Sequence, residues 1–387
     1  MLWVDKHRPT RLNQLTYHQT ITDRLTSLSD DSSSIPHLLF YGPSGAGKKT
    51  RVMALLRAIY GPGAERLRLD RRSFTTPTKR VVDINMICSN YHIELSPGDA
   101  GINDRYVVQD VIKEMAANRS LTSSSASGGF SQLKNSGGGK SDNTNAASGA
   151  NEKAQSSSKK VDFKVVVLVE IDRMSRQAQA ALRRTMERYA ETCRLILICN
   201  NPSKVIDPVR SRCLGIRIPA PSHDDVCAVL KEVCRKEDVP LPDELAINLA
   251  RESSRNLRRA ILMLESCHVE QGRILKAHHP IQKTDWEMYI AQLASDITKE
   301  QSPQRLLAAR EKLYELLINC IPPDVIIKTL AMELMKNLDD SLKHEVIEVA
   351  AFYEHRICQG SKDIFHLEAF IAKFMSIYKR YLNDLFA

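Results

Sequence analysis

Seven consecutive residues, Gly42-Pro43-Ser44-Gly45-Ala46-Gly47-Lys48, constrain this chain more than any other feature. They follow a short apolar run at 35–41 and open a stretch of helical periodicity at 49–60. A glycine-rich turn placed between a strand and a helix aims backbone N–H groups and the helix N-terminus at one point, where an anion is held. The spacing is that of a phosphate loop, in which the lysine reaches the terminal phosphates of a nucleotide. Binding contacts are therefore expected from Gly42, Ser44, Gly45, Ala46, Gly47, Lys48, Lys49 and Thr50. The loop works only in its strand–turn–helix context, so the chain must contain at least one such unit.

The position after Lys48 breaks the pattern. A hydroxyl is wanted there to ligate Mg²⁺, and this chain has Lys49. Thr50 lies one residue further on, about 100° round a helix, and points elsewhere. A second acidic element normally ends a later strand with Asp-Glu, the Asp on Mg²⁺ and the Glu orienting water. Here the strand reads Val167-Leu168-Val169-Glu170-Ile171-Asp172. With Glu170 in the glutamate position, as a vestigial catalytic residue, Val169 stands where the metal ligand should be. In the other register Asp172 takes the metal and Arg173 falls in the glutamate's place. On the first register Mg²⁺ is held weakly or not at all, and hydrolysis fails while phosphate binding persists.

Around the loop, apolar runs at 81–87, 92–95, 165–169 and 195–199 alternate with helical patterns such as 104–117. That alternation predicts an α/β fold with a mainly parallel, doubly wound sheet. The unbroken Val/Ile/Leu runs suit strands covered on both faces. Residues 118–160 interrupt this order: Ser, Gly and Asn fill 23 of 43 positions, too polar a segment to offset its ordering entropy. A dispensable disordered insert is expected there. After residue 220 the pattern is helical throughout. Ser222 followed by Asp225 marks a helix start, and a polar link at 277–283 precedes the last helices.

The nine cysteines contain no C-x-x-C pair, which argues against a zinc ribbon or a disulfide framework. No apolar run of about 18 residues occurs, so no membrane partner is expected. Met1-Leu2-Trp3-Val4-Asp5-Lys6 lacks an apolar signal core, and the chain is expected to stay inside the cell. Of the net charge of +9, +4 lies in residues 118–160, so charge alone is weak support for a nucleic-acid partner.

Further motifs resemble one family. Trp3-Val4-Asp5-Lys6-His7-Arg8-Pro9, Gln179-Ala180-Ala181-Leu182-Arg183-Arg184-Thr185-Met186-Glu187, Ser211-Arg212-Cys213 and Asn256-Leu257-Arg258-Arg259-Ala260 are similar, in order, to boxes of the AAA+ clamp-loader subunits of replication factor C. Residues 41–50 look like its subunit 3/5 branch, the counterpart of bacterial delta-prime without a zinc ribbon. The resemblance implies an AAA+ domain at 1–220, a helical lid at 221–280 and an all-α collar for oligomerisation at 281–387. It implies an adenine nucleotide as cofactor, ADP or ATP, with Val4, Arg8 and Pro9 near the base, Asn200 as a sensor and Arg258 facing the phosphates. Arg212 becomes a finger offered in trans to a neighbour's ATP. Implied partners are the other subunits of a heteropentamer, the sliding clamp and primer–template DNA, and the implied location is the nucleus.

Independently of that resemblance, the helical stretch 175–189 places Arg176, Arg183, Arg184 and Arg188 on one arc of about 140°, with Glu187 among them. Such an arc can track phosphates, and an ordinary solvated face remains open beside it. Arg105 is a weaker DNA-facing candidate. The rival to a nucleotide-holding subunit is a competent AAA+ ATPase or P-loop phosphotransferase acting alone, which should have a hydroxyl at 49 and a carboxylate at 169.

Overall fold

The computed structural model describes residues 1–387 except 32–34, 76–80, 118–162, 191, 272–274, 276–280, 337, 361 and 387. The insert expected at 118–160 and part of the link expected at 277–283 lie outside the described residues. The chain divides into two compact units, Met1–Pro280 and Ile281–Ala387.

In the first unit, α1 (Trp3–Lys6) and α2 (Gln19–Asp30) precede β1 (Leu38–Tyr41) and α3 (Lys48–Tyr60). There follow β2 (Arg68–Thr75), β3 (Val81–Cys88), β4 (His92–Leu95), α4 (Asp104–Ala117) and β5 (Lys164–Leu168). Then come α5 (Arg176–Arg188), β6 (Cys193–Cys199), α6 (Asp207–Arg210) and β7 (Leu214–Arg217). The seven strands form one sheet in the order β2-β3-β4-β5-β6-β1-β7. From β4 to β7 every pairing is parallel, whereas β3 joins β2 and β4 in antiparallel fashion.

Period-2 geometry divides the strand residues between two cores. Leu39, Val166, Leu168, Leu197 and Cys199 face a cluster built with Val107, Val108, Ala178, Leu182 and Met186 of α4 and α5. Leu38, Phe40, Val165, Val167, Ile196 and Ile198 face the other side, against Leu25 of α2 and Val52, Leu55 and Leu56 of α3. Both faces are thus buried, which is why these strands read as unbroken apolar runs.

β2 was absent from the sequence reading, and its composition explains why. Arg68, Asp70, Arg71 and Arg72 give it no apolar face, and it lies at the sheet edge, where Arg71 pairs with Asp83 at 2.7 Å and Leu69 is exposed. Charged side chains suit an open edge because they discourage pairing with another chain.

Three helices complete the unit: α7 (His223–Lys236), α8 (Asp243–Glu252) and α9 (Leu257–Gln271). Ser222 and Asp225 close a reciprocal capping box at α7, with bonds of 3.0 and 2.9 Å. Asn256 caps α9 by accepting the Arg259 N–H at 3.2 Å.

The second unit consists of α10 (Asp285–Lys299), α11 (Pro303–Ile318), α12 (Pro323–Met335), α13 (Asp340–Gln359) and α14 (Asp363–Phe386). Their core includes Ile290, Leu313, Ile327, Leu330 and Phe370. The apolar face of α14, formed by Ile364, Leu367, Ile371, Phe374 and Met375, is buried in that same core. Helical spacing marks a face as buried without saying what covers it, and here the covering helices belong to this chain.

Candidate nucleotide site

Residues 42–48 leave β1 and enter α3 with three glycines at positive φ: Gly42 at 147°, Gly45 at 75° and Gly47 at 83°. Each is also close against a neighbour. A Cβ at Gly42 would lie 2.0 Å from the Ile218 carbonyl oxygen, and one at Gly45 would lie 1.7 Å from Asn256 Oδ1. Only glycine meets both demands. Gly47 caps the start of α3, and Gly61 ends that helix by donating to Arg57 O at 2.8 Å.

Lys48 is 7% exposed, and its ammonium donates to Gly42 O at 2.8 Å, Pro43 O at 2.7 Å and Asn200 Oδ1 at 2.8 Å. All three donors of the group are in use. Burial lowers its pKa; the nearby Cys199 and Asp172 oppose that shift, and the positive field of Arg258 adds to it. Lys48 and Asn200 are thus in direct contact, and the charge of Arg258 is felt at the Lys48 ammonium. Asn200 closes β6, and its N–H is received by Asp172 Oδ2 at 3.3 Å, beside that of Asn201 at 3.4 Å.

Lys49 forms an ion pair with Glu94 of β4, a carboxylate only 6% exposed. Val169 continues β5 through its N–H to Leu95 O at 3.0 Å and packs partly buried against the α3 side of the core. Glu170 adopts a left-handed backbone with φ of 55° and pairs with Arg173 at 3.2 Å.

Beside the loop is a cavity of about 630 Å³, walled by Val4, Arg8, Pro9, Tyr17, Gly45, Gly47, Thr50 and Arg258, among others. The N-terminal segment roofs it from α7 and α9. Trp3 donates its backbone N–H to Glu265 at 3.1 Å and its ring packs, tilted, against His268 with centroids 4.9 Å apart, while Lys6 and His7 pair with Glu237. Ser44 is exposed at the tip of the loop and Ala46 is buried beneath it.

The remaining sites are distributed over the first unit. Arg212 follows α6 and is fixed by Glu187 of α5, with Nε at 2.8 Å and Nη2 at 2.6 Å, and by Pro208 O at 2.8 Å. Arg176, Arg183, Arg184 and Arg188 are all exposed along α5, as is Arg105 on α4. The start of α5 is set by Ser175, which caps Ala178 at 3.1 Å and is gripped through its own N–H by the buried Asp104 at 2.7 Å.

Sequence reasoning missed Glu94, Tyr17, Arg51 and Asn256. An acid inside the four-residue strand His92–Leu95 was a usable signal, since a buried carboxylate needs a partner. Arg51 is fully buried: its guanidinium donates to Thr22 Oγ1 at 3.1 Å and to Tyr17 O at 2.8 Å, and lies 4.8 Å from the Tyr17 ring. Tyr17 in turn donates to Ala46 O at 3.2 Å, supporting the loop from below.

Three family models match the chain. "Replication factor C subunit 3, C-terminal domain" covers 286–382, "RCF1/5-like, AAA+ ATPase lid domain" covers 228–269, and "DNA polymerase III, delta subunit" covers 109–222. Replication factor C subunit 3 of Bos taurus is 49% identical over 99% of this chain and 98% of its own length. The chain belongs to the replication factor C subunit 3/5 family. Subunit 5 of this family from Oryza sativa subsp. japonica is 47% identical over the whole of both chains, and that of Schizosaccharomyces pombe is 41% identical over 98% and 97%. Among solved structures, the Thermotoga maritima RuvB Holliday junction branch migration motor aligns over 79% of this chain and 85% of its own. Its identity is 15% and its TM-score 0.46, too loose a likeness to argue from. The family and its AAA+ lid model agree with the observed arrangement: an α/β sheet layer carrying a phosphate loop, a three-helix lid and an all-helical C-terminal unit.

Proposed function

We propose that this chain is a clamp-loader subunit that holds an adenine nucleotide, hydrolyses it poorly or not at all, and lends Arg212 to the nucleotide of a neighbouring subunit. The observation that carries the reading is the pair of residues at the metal positions. Mg²⁺ requires oxygen ligands in near-octahedral geometry. Where a hydroxyl and a carboxylate should be, this site has an ammonium tied to Glu94 and the alkyl side chain of Val169. The donor set does not fit the ion, and without it the charge that develops on a transferred phosphoryl group has no metal to neutralise it. Lys48, Arg258, the loop amides and the cavity still serve binding.

Other features support the partners. Exposed arginines on α5 and Arg105 on α4 suit the phosphates of primer–template DNA. The second unit keeps Tyr314, Ile318, Ile347, Phe352 and Phe365 exposed, with Ile318 at 75% and Phe365 at 57%. Apolar surface of that kind suits packing against other subunits in a ring. A sheet-and-loop domain at 1–220, a lid at 221–280 and a collar at 281–387 are the working parts on this reading. The sliding clamp is the ring's cargo and the nucleus its place of work.

The test compares ATP turnover by the purified chain with turnover by the assembled ring, alongside nucleotide binding by calorimetry. The isolated chain should bind ADP or ATP with negligible turnover. Lys48→Met should weaken binding by roughly 10- to 100-fold, the value of one charge-assisted contact. Robust turnover by the isolated chain, abolished by Glu170→Gln, would show a working ATPase and end this reading.

A further inference from the structure

Lys49 is held in place rather than merely tolerated. It leaves the first turn of α3 and pairs with Glu94, whose Cα partner in the sheet register is Val167 of the strand leading to Glu170. Glu94 is 6% exposed, so it requires a cation beside it whatever else the site does. A serine or threonine at 49 would leave that carboxylate buried and unpaired. The pair therefore fixes a positive charge at the phosphate end of α3, at the residue where a phosphate loop otherwise recruits its metal. Lys49 keeps 34% of its side chain exposed, and an ammonium has three donors, of which Glu94 engages one.

We infer that the Lys49–Glu94 pair takes the place of the divalent cation, so that this site accepts nucleoside di- or triphosphate free of metal. The inference rests on the nucleotide-binding reading above and goes beyond it by naming the ionic form of the ligand. Lys48 and Lys49 supply the charge that Mg²⁺ would bring, and Glu94 keeps Lys49 from swinging into solvent. A metal ion arriving with the nucleotide would meet an ammonium instead of a hydroxyl. Divalent cations therefore gain nothing here.

Calorimetric titration of the full chain with ADP, in excess EDTA and again in millimolar Mg²⁺, tests this. The two affinities should agree within about twofold, which is under 0.5 kcal/mol. Lys49→Met should lower the affinity in EDTA by about tenfold or more, as loss of a charge-assisted contact does. Lys49→Arg, which keeps the charge and the partner, should retain most of the metal-free affinity. If Lys49→Met does not fold because Glu94 is left unpaired, the double variant Lys49→Met/Glu94→Gln removes both charges and gives the same comparison. A wild-type affinity that falls tenfold in EDTA overturns the inference and leaves nucleotide binding standing. So does metal-free binding by Lys49→Met at the wild-type level. Absence of ADP and ATP binding in both buffers would sink the nucleotide reading and this inference together.

Discussion

Arg212 is braced rather than free, and this bears on how it can act. Four bonds from its guanidinium, two to Glu187 of α5, one to Pro208 O of α6 and one to Ser211 Oγ, hold its side chain in place. Arg183 approaches the same carboxylate at 3.6 Å. The Arg212 contact, more than any other, depresses the pKa of Glu187 below its ordinary 4.5. With that sign the pairing is fully present above the ordinary value and is lost only as pH falls through the depressed one, so it persists throughout the neutral range. Both groups are exposed enough for salt to weaken the pair. If Arg212 serves a neighbour's nucleotide, Arg212→Ala should leave this chain's nucleotide affinity and its assembly intact. It should cut DNA- and clamp-stimulated ATP hydrolysis by the ring, by the share of one site. A finger contributes about 10³–10⁵ to the rate of the site it serves. Lysine should not rescue it, since it lacks the planar fork. A mutant ring that hydrolyses ATP and loads clamps at the wild-type rate would remove Arg212 from this role.

Elements were legible where burial is two-sided or strictly periodic. The runs that became β1, β5 and β6 carry apolar residues on both faces, and α4 begins and ends where its periodicity does. β2 escaped notice because an edge strand bearing Arg68, Asp70, Arg71 and Arg72 has no buried face to give it a period. In the site, the loop was readable because its members are contiguous. The partners of Lys49 and Arg212 were not, because they lie 45 and 25 residues away and meet only once the sheet is assembled. α5 shows both sides of this contrast. Its exposed arc of Arg176, Arg183, Arg184 and Arg188 followed from spacing, while the grip of Asp104 on Ser175 did not. If its outer arginines follow DNA phosphates, replacing Arg176, Arg183, Arg184 and Arg188 by Gln should weaken DNA binding by the ring for all sequences alike. The slope of log affinity against log salt should shrink by about 0.9 for each arginine that neutralised a phosphate. An unchanged slope would make this arc an ordinary solvated face.

On the scale of the whole molecule, two units with separate cores imply two separable tasks. A chain ending at residue 283 should keep the cooperative unfolding of the first unit and its nucleotide affinity, yet fail to co-purify with the other subunits. Co-purification at the full-length level would move the assembly surface out of the helical unit. Phe370→Ala, at a fully buried core position, should destabilise the second unit by about 3–5 kcal/mol while leaving ADP affinity unchanged. Within the first unit, the contact of Gly45 with Asn256 has a meaning for descent as well as for shape. Any side chain at 45 collides with Asn256, and shrinking Asn256 first removes the cap of α9 while the left-handed φ of Gly45 remains forbidding. No single substitution leads away from this pair without loss. Lineages that keep the helical layer seated on the loop should retain both residues, and a sequence that has lost Gly45 while keeping Asn256 should be one released from holding that layer closed.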